Sequence, residues 1–418
     1  MLNRKIAPKT QIITEIPFKK PEVISLKNGA KIYCIRETYN RTVRIDFVFD
    51  AGSLESSRVV AVLCGDLLLS GTDKKTSDEI EEAIDRLGGY LEVGTTTEHS
   101  RVSVFGLKEH IVKIVEILID AIVNVTFDPK EIKQLIQEKR NKLEIDLKKV
   151  NVLAKRAFLS HVFQHSPYGK LSTLTDFKST KKEDIIQFHK KNYLTGLKYL
   201  SIVGDLEDDQ IDEIHELASQ FDKNGILKVN YNYNYTPVRI HIPKSENLQS
   251  AIRIGKLLFN KKHPDFKKFL VLNTILGGYF GSRLMTSIRE EKGYTYGIGS
   301  SVVQYLETGY FYISTEVAKE FKALTIKAIR EEIELLQAEE VSTEELDLVR
   351  NYLIGEVLEQ SDGAQAMMDR FISVNTFGLD LSYYNDLIHT INTITAKEIK
   401  NLAKQYLNWE SMTVVTAG

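Results

Sequence analysis

Two histidines, His161 and His165, have a spacing that could bind a metal ion. They stand four residues apart in the segment Ser160-His-Val-Phe-Gln-His-Ser-Pro-Tyr-Gly, and residues four apart share one face of a helix. The neighbouring segment offers no third ligand, and Pro167 would end a helix at this point. We therefore favour a structural role for this pair over a metal site. His99, beside Glu98, is a weaker candidate for the same reason.

Length and composition describe an ordinary globular chain. Its 418 residues exceed what one hydrophobic core usually organises, so at least two domains are expected. With 55 Lys and Arg against 57 Asp and Glu, no basic field indicates nucleic acid as a partner. No apolar run approaches the roughly 18 residues of a membrane span, and the basic start lacks the apolar stretch of a secretory signal. We therefore expect a cytoplasmic protein that does not enter membranes.

The two cysteines, Cys34 and Cys64, allow at most one disulfide. Both lie in apolar runs, where an unpaired, buried thiol is the commoner state. We expect both thiols to be free.

The chain contains an internal repeat. The segment Thr180–Asp205 matches Thr393–Gly418 without gaps, and each copy has the pattern of a capped helix followed by an apolar strand. Two further pairs match at a similar offset in the same order. The aligned residues are Tyr193 with Tyr406, Glu131 with Glu345, and Arg44 with Arg253. Offsets of 209 to 214 residues indicate a duplicated unit of domain size.

Each half has the same predicted order of strands and helices. In the first half, strands are predicted near 31–36, 43–50 and 198–204, a hairpin over 90–106, and helices near 59–69, 77–87, 108–122, 129–147 and 182–193. In the second, strands are predicted at 238–242, 250–258 and 411–416, a hairpin over 294–316, and helices near 264–290, 318–337, 342–358 and 395–406. The predicted class is α+β, with two homologous domains that each have a mostly antiparallel sheet and helices on one face. We assign 1–225 to the N-terminal domain, 226–237 to a polar linker and 238–418 to the C-terminal domain.

Short motifs along the chain resemble a known family. They are Phe47-Val-Phe-Asp-Ala-Gly-Ser, Leu69-Ser-Gly-Thr, Ser166-Pro-Tyr-Gly, Leu276-Gly-Gly-Tyr-Phe-Gly-Ser-Arg-Leu and Arg289-Glu-Glu-Lys-Gly-Tyr-Thr-Tyr. In this order they resemble the pitrilysin/insulinase zinc peptidases, the inverzincins, which include the mitochondrial processing peptidase. The resemblance spans nearly the whole chain. It implies two homologous α+β domains, which the repeat predicts independently.

The resemblance also implies a zinc motif, and here the motif is degenerate. The family's H-x-x-E-H helix supplies two histidine ligands and a glutamate that deprotonates the attacking water. The corresponding positions hold Val62, Gly65 and Asp66, and the third ligand of the family, a later glutamate, is matched by Glu144. Valine and glycine offer no ligand, so we predict no metal or other cofactor in this chain. Glu144 is expected on a solvated or ion-paired helix face.

Arg289 and Tyr296 are the residues of the second half to which the resemblance assigns chemistry. Arg289 is predicted at a helix end and Tyr296 on the following strand, with Gly293 in the turn. In the family, such a pair reaches a zinc site in the other half of a clam-shell and stabilises the oxyanion of a tetrahedral intermediate. The alternative is that Arg289 pairs with Glu290 or Glu291 and that Tyr296 belongs to a hairpin core.

Lost metal ligands beside a retained Arg/Tyr pair predict a division of labour. We expect a non-zinc subunit of a heterodimeric metallopeptidase that cleaves peptides, with Arg289 and Tyr296 acting in trans and zinc held by a homologous partner subunit. A peptide substrate would add a strand to a sheet edge, for which 94–98 is a candidate. The isolated chain could also form a homodimer.

Two other functions stay open at the level of sequence. The chain could be a non-catalytic binding or scaffold protein derived from the same fold, which the intact Arg/Tyr motif disfavours. It could also be an autonomous peptidase with a different metal set, although no alternative His/Glu cluster is visible in the sequence.

Overall fold

The computed structural model describes residues 12–54, 56–164, 166–223, 231 and 233–418. His165 and half of the predicted linker 226–237 lie outside these residues, so the domain limits 1–225 and 238–418 stay predictions. The strands are β1 (Glu22–Ser25), β2 (Lys31–Arg36), β3 (Thr42–Phe49), β4 (Tyr90–Thr95), β5 (Ser100–Leu107), β6 (Leu197–Gly204), β7 (Arg239–Ile242), β8 (Gln249–Leu258), β9 (Thr295–Gln304), β10 (Gly309–Ala318) and β11 (Thr413–Ala417).

Helices separate these strands in both halves. They are α1 (Arg58–Asp66), α2 (Ser77–Asp85), α3 (Ile111–Val123), α4 (Pro129–Asp146), α5 (Val150–Val162), α6 (Leu174–Ser179), α7 (Lys182–His189), α8 (Asp208–Ala218), α9 (Phe266–Asn273), α10 (Lys322–Ala338), α11 (Thr343–Glu359), α12 (Gly363–Asn375), α13 (Ser382–Thr393) and α14 (Ala396–Tyr406). Helices α7 and α9 continue into the π-helical turns Lys190–Leu194 and Thr274–Gly278, and a separate π-helical segment spans Met285–Glu291. The predicted helix over 264–290 is therefore two pieces.

The strands form two sheets with related topology. The first has the order β1-β2-β6-β3-β5-β4 and the second the order β7-β11-β8-β10-β9. Apart from the parallel pairs β2/β6 and β7/β11, all neighbouring strands among the described residues are antiparallel. Each of the last five strands of the first sheet has a counterpart in the second. The predicted α+β class with two domains is confirmed.

Each half has its own hydrophobic core between one face of its sheet and the helices of the same half. Helix α3 shows why, since its apolar residues recur at intervals of three and four and form one stripe. Ile111, Ile114, Val115, Leu118 and Ile122 of this stripe are all fully buried. Capping boxes at Thr76 and Thr395 begin α2 and α14, because each threonine accepts from a backbone N–H of the first turn.

The opposite face of each sheet receives a helix from the other half. Helix α5 packs against β8 and β11, where Ala154 and Phe158 join Tyr310 in a third apolar cluster. Helix α12 packs against β2 and β6, where Met368 joins Tyr33 in a fourth apolar cluster. Neither helix was predicted from the sequence, and together they join the two halves.

The side chain of Glu98 also connects the two halves through hydrogen bonds. Glu98, in the turn between β4 and β5, accepts a hydrogen bond from the Tyr168 hydroxyl at 2.6 Å. The same Oε1 accepts from the Leu306 backbone N–H, in the turn between β9 and β10, at 2.7 Å. Burial raises the pKa of Glu98, and the two hydrogen bonds oppose this shift only in part. The native state therefore retains a proton on Glu98 over a pH range in which the unfolded chain has released it.

This pKa shift predicts a pH-dependent effect of Glu98→Gln. Since the pKa is raised on folding, ionisation of Glu98 lowers the free energy of unfolding as the pH rises above the ordinary carboxyl range. Glutamine keeps the accepting oxygen without the charge, so the variant should be more stable than the wild type at pH 7. The difference should shrink as the pH falls to 4. Urea unfolding at both pH values measures it, with exposed Glu92→Gln as the charge-loss control. If Glu98→Gln instead lowers the free energy of unfolding by the same amount at both pH values, the pKa of Glu98 is not raised on folding.

Candidate functional site

The degenerate zinc motif lies on α1, and its central position is closed by packing. Gly65 is buried, and a Cβ atom there would lie 2.4 Å from the Thr95 hydroxyl oxygen and 3.1 Å from the Tyr193 hydroxyl. These hydroxyls belong to a small network, because the Tyr193 O–H donates to Ser100 Oγ at 2.8 Å and Thr95 Oγ1 lies 3.3 Å from the same oxygen. The space that a catalytic glutamate side chain would occupy is thus filled by hydroxyl groups of the first sheet and of the π-helical turn after α7.

The other positions of the motif also lack a metal-binding arrangement. Val62 is half-buried, and the Asp66 carboxylate forms an ion pair with Lys139 Nζ of α4 at 2.5 Å. Glu144 is exposed on α4, and no ion pair within 4 Å involves it in the described ranges. Those ranges also contain no group of three or more His, Cys, Asp or Glu side chains that could hold a metal ion. Lys139 was not predicted as a site residue. Its ammonium group pairs with Asp66, the one acidic residue at the three motif positions 62, 65 and 66.

The remaining imidazole and thiol candidates are accounted for by local structure. His161 Nδ1 lies 2.7 Å from the Ala157 carbonyl oxygen one turn earlier on α5, which fits the structural role predicted for it. Burial lowers the pKa of His99 to about 4, which favours the neutral ring near neutral pH. Cys34 and Cys64 are both free and buried, as predicted, and burial raises the pKa of the Cys34 thiol to about 11. Such thiols are poor nucleophiles at neutral pH.

Arg289 lies in the π-helical segment Met285–Glu291, beside the aromatic ring of Phe280. Its guanidinium stacks over the Phe280 ring, with the central carbon 4.6 Å from the ring centroid. No ion pair within 4 Å joins it to Glu290, Glu291 or another carboxylate in the described part of the chain, so the alternative ion pair is wrong. Single π-helical turns are frequent at functional sites. The structure therefore presents a positioned cation whose charge is not neutralised.

Tyr296 lies at the start of the edge strand β9 and is 95% exposed. It is therefore not a core residue, and the alternative interpretation of this side chain is also wrong. The ladder between β9 and β10 is regular up to Thr315 and Ile298, then shifts register before Val317 pairs with Thr295. A bulge of this kind redirects side chains and is common beside active sites. Tyr296 lies within this irregular stretch, and its side chain is exposed to solvent.

The two residues lie on neighbouring elements without direct contact. The Tyr294 N–H donates to the Ile288 carbonyl at 3.0 Å, which fixes the end of the π-helical segment beside the start of β9. In the described structure no hydrogen bond or ring contact links Arg289 to Tyr296. Their shared orientation toward a reacting group stays a prediction.

Tyr296 is at the rim of a cavity of about 610 Å³. The cavity lies between α5 of the first half and the second sheet, with Ala251, Arg253, Ser314 and Glu316 on the sheet side. Asn151 and Lys155 of α5 line the opposite wall. This cavity was not predicted from the sequence, because one of its walls is the helix α5 that crosses from the other half.

Each sheet has an outer strand with one unpaired edge in the described ranges. Within those ranges β4 pairs only with β5, and β9 pairs only with β10, so another strand could pair on either edge. Thr95 and Gly94, the last residues of β4, belong to the segment predicted as a substrate edge. Among the helices of the described residues, none combines the length and apolar character needed to cross a lipid bilayer.

The described chain thus has two sheets of related topology, each packed against a helix from the other half, with a half-buried Arg289 and an exposed Tyr296 in the second half. Sequence profiles identify the family, since one described as insulinase (peptidase family M16) matches residues 31–173. A second, described as the peptidase M16 inactive domain, matches residues 179–353. The chain belongs to peptidase family M16, the pitrilysin/insulinase family, as predicted.

Curated relatives include proteins named as peptidases and one named as a non-peptidase. An uncharacterized zinc protease, YmxG, of Bacillus subtilis is 21% identical over 91% of this chain and 94% of its own. A probable mitochondrial-processing peptidase subunit beta of Arabidopsis thaliana is 22% identical over 95% and 78%, respectively. A non-peptidase homolog, YmxG, of Helicobacter pylori is 23% identical over 92% and 91%.

Solved structures show the same fold. A structure from Pseudomonas fluorescens described as a peptidase M16 inactive domain superposes with a TM-score of 0.87 at 22% identity, over 95% of this chain and 98% of that one. A chain of complex III2 from Candida albicans superposes with a TM-score of 0.76 at 16% identity, over 95% of both. At these identities the likeness concerns the fold alone.

Proposed function

We propose that this chain is the non-zinc subunit of a heterodimeric metallopeptidase that cleaves peptides. Its partner would be a homologous, zinc-bearing subunit, and this chain would supply Arg289 and Tyr296 to the reaction. The observation on which the proposal rests is the 95% exposure of Tyr296 on an edge strand beside a cavity. Because the Tyr296 side chain buries almost none of its surface within this chain, nearly all of that surface can contact another molecule.

The chemistry proposed for the pair is stabilisation of negative charge. Attack of water on a scissile amide produces a tetrahedral oxyanion, and the zinc in the partner would activate that water. The Tyr296 O–H is a neutral donor and the Arg289 guanidinium a charged one. Both would strengthen their hydrogen bonds as charge develops on the oxygen. Because no carboxylate neutralises Arg289 within the described residues, its charge is available for this purpose.

The pairing of subunits has support from the family. The relative from Arabidopsis thaliana is named as a subunit of the mitochondrial-processing peptidase, which implies assembly with another chain. The closed position at Gly65 and the ion pair between Asp66 and Lys139 favour a metal in a different subunit. A peptide could lie as an added strand along the edge of β4 or β9, since main-chain hydrogen bonds demand little of its sequence. We also propose that the protein is cytoplasmic and that the chain can form a homodimer when it is isolated from its partner.

A non-catalytic binding or scaffold role is the second candidate. The relative named as a non-peptidase homolog and the fold shared with a complex III chain favour it. The two candidates differ in one requirement, because only the catalytic one needs a partner with an intact H-x-x-E-H motif.

Affinity purification of the tagged chain from its own cells, followed by elemental analysis, tests the proposal. We expect a homologous chain with H-x-x-E-H in a 1:1 ratio and zinc in the assembly, whereas the separately purified chain holds no stoichiometric zinc. Stoichiometric zinc on the isolated chain, lost in Asp66→Ala, would refute it. A partner that lacks the motif would favour the scaffold role.

A further inference from the structure

The internal repeat places two arginines at corresponding positions with different surroundings. Arg44 on β3 and Arg253 on β8 are aligned by the repeat, and both point toward the helix that crosses from the other half. Arg44 is buried, and its positive charge is balanced by two carboxylates. Its Nε and Nη2 donate to Asp46 Oδ2 at 3.0 and 2.8 Å, and its Nη1 donates to Asp369 of α12 at 3.2 Å.

Arg253 has neither of these carboxylates. The position that corresponds to Asp46, two residues further along the strand, is Gly255, where a Cβ atom would lie 2.0 Å from the Phe311 carbonyl oxygen. The crossing helix gives no substitute, since α5 contains no Asp or Glu. In the described ranges no carboxylate lies within 4 Å of the Arg253 guanidinium, and its Nε is buried with no hydrogen-bond partner.

The Arg253 guanidinium is held in place by aromatic rings. Its central carbon lies 3.9 Å from the centroid of the Tyr312 ring and 5.5 Å from that of Phe158. Stacking of this kind leaves the edge of a planar guanidinium available for hydrogen bonds to a carboxylate. The neutral Tyr310 hydroxyl already accepts a hydrogen bond from the Arg253 side chain, which does not cancel its charge. The group is thus positioned and not neutralised.

This guanidinium lines the cavity beside Tyr296, and the lining is basic on balance. Lys155 of α5 adds a second positive charge. Glu316 is the one carboxylate among the described lining residues, and it already accepts a hydrogen bond from Asn151 Nδ2 at 2.9 Å. A peptide that pairs with the edge of β9 passes the mouth of this cavity at Tyr296.

We propose that this cavity binds a carboxylate of a peptide ligand through Arg253, with Lys155 as a second cation. The carboxylate takes the place that Asp46 and Asp369 occupy around Arg44. It is either an acidic side chain within the peptide or the carboxylate of its C-terminus. The proposal rests on the proposed function in that the ligand is a peptide, but it concerns binding to this chain alone.

Fluorescence anisotropy with the isolated full chain and three labelled ten-residue peptides tests this site. One peptide is neutral with blocked ends, the second has blocked ends and one central glutamate, and the third has a free C-terminal carboxylate. We expect at least one of the acidic peptides to bind about tenfold more tightly than the neutral one, as a charged hydrogen-bonded pair allows. The peptide that gains affinity identifies the source of the carboxylate. Equal affinity for all three, or no binding by any, would overturn the proposal.

Variants separate the cavity from general effects of charge. Arg253→Gln should remove the preference for the acidic peptide, and Glu316→Gln should increase it. Ser314→Asp, which faces Arg253 across the strand pair, should neutralise the arginine internally and remove the preference without deletion of its aromatic contacts. Exposed Arg330→Gln on α10 is the matched control and should change nothing. A preference that survives both Arg253→Gln and Ser314→Asp would refute the site.

The result is independent of the peptidase assembly. Binding is measured without the zinc-bearing partner, so loss of the carboxylate preference leaves the proposed function of Arg289 and Tyr296 untested and intact. Conversely, failure to find such a partner would leave the binding measurement valid.

Discussion

Tyr296→Phe is expected to lower kcat of the reconstituted two-subunit peptidase by about 100- to 1000-fold, the usual effect of removing one oxyanion donor. The substitution removes only the phenol O–H. Because Tyr296 is 95% exposed in the isolated chain, its loss should not affect folding. KM for the peptide should change little, since the donor acts on a charge that exists only after attack on the amide.

The matched control is Tyr39→Phe, which removes a hydroxyl from another almost fully exposed tyrosine, 93% exposed and in the first half. This variant should retain full turnover. Size-exclusion chromatography should show the same assembly for both variants. If Tyr296→Phe turns over as fast as the wild type, Tyr296 has no part in the mechanism.

Gly65→Ala is expected to destabilise the chain by about 1–3 kcal/mol, the usual cost of overpacking a filled core. The new methyl group would meet the Thr95 hydroxyl at 2.4 Å. The sign is informative, since Gly→Ala in an open helix position stabilises by roughly 0.5–1 kcal/mol. Gly65→Glu should cost more, because it also places a carboxylate among buried groups.

Gly355→Ala in α11 is the matched helix control, because a Cβ atom there would meet no atom within 4 Å. It should raise the free energy of unfolding in urea, whereas Gly65→Ala lowers it. If both variants are stabilised, the position is open and the degenerate motif could accept a side chain. The closed position also predicts that Val62→His, Gly65→Glu and Asp66→His together will not restore a zinc peptidase in this chain.

The sequence predicted the elements whose signals are local. Strands β2, β3 and β8 and helices α3 and α14 lie within a few residues of their predicted places, because each has a clear period or capping residues. Helices α5 and α12 were not predicted, although α5 is amphipathic. Their apolar residues face the sheet of the opposite half, so their place depends on contacts far apart in sequence.

The candidate site was predicted in part for the same reason. The residue types at 62, 65 and 66 were enough to predict that the metal motif is degenerate. That Gly65 is closed could not be foreseen, because Thr95 and Tyr193 come from distant segments. One signal was present in the sequence, since the repeat that aligns Arg44 with Arg253 also sets Asp46 against Gly255. That comparison indicates that Arg253 lacks the carboxylate that Asp46 provides for Arg44.

Titration of a fixed amount of the zinc-bearing partner with this chain tests the central claim most directly. Neither chain alone should cleave a quenched fluorescent peptide at a significant rate. Activity should rise with added chain and reach a plateau at one chain per partner, and the Tyr296→Phe chain should reach the same stoichiometry at a plateau about 100-fold lower or less. Full activity of the partner alone, or activity of this chain alone, would contradict the account.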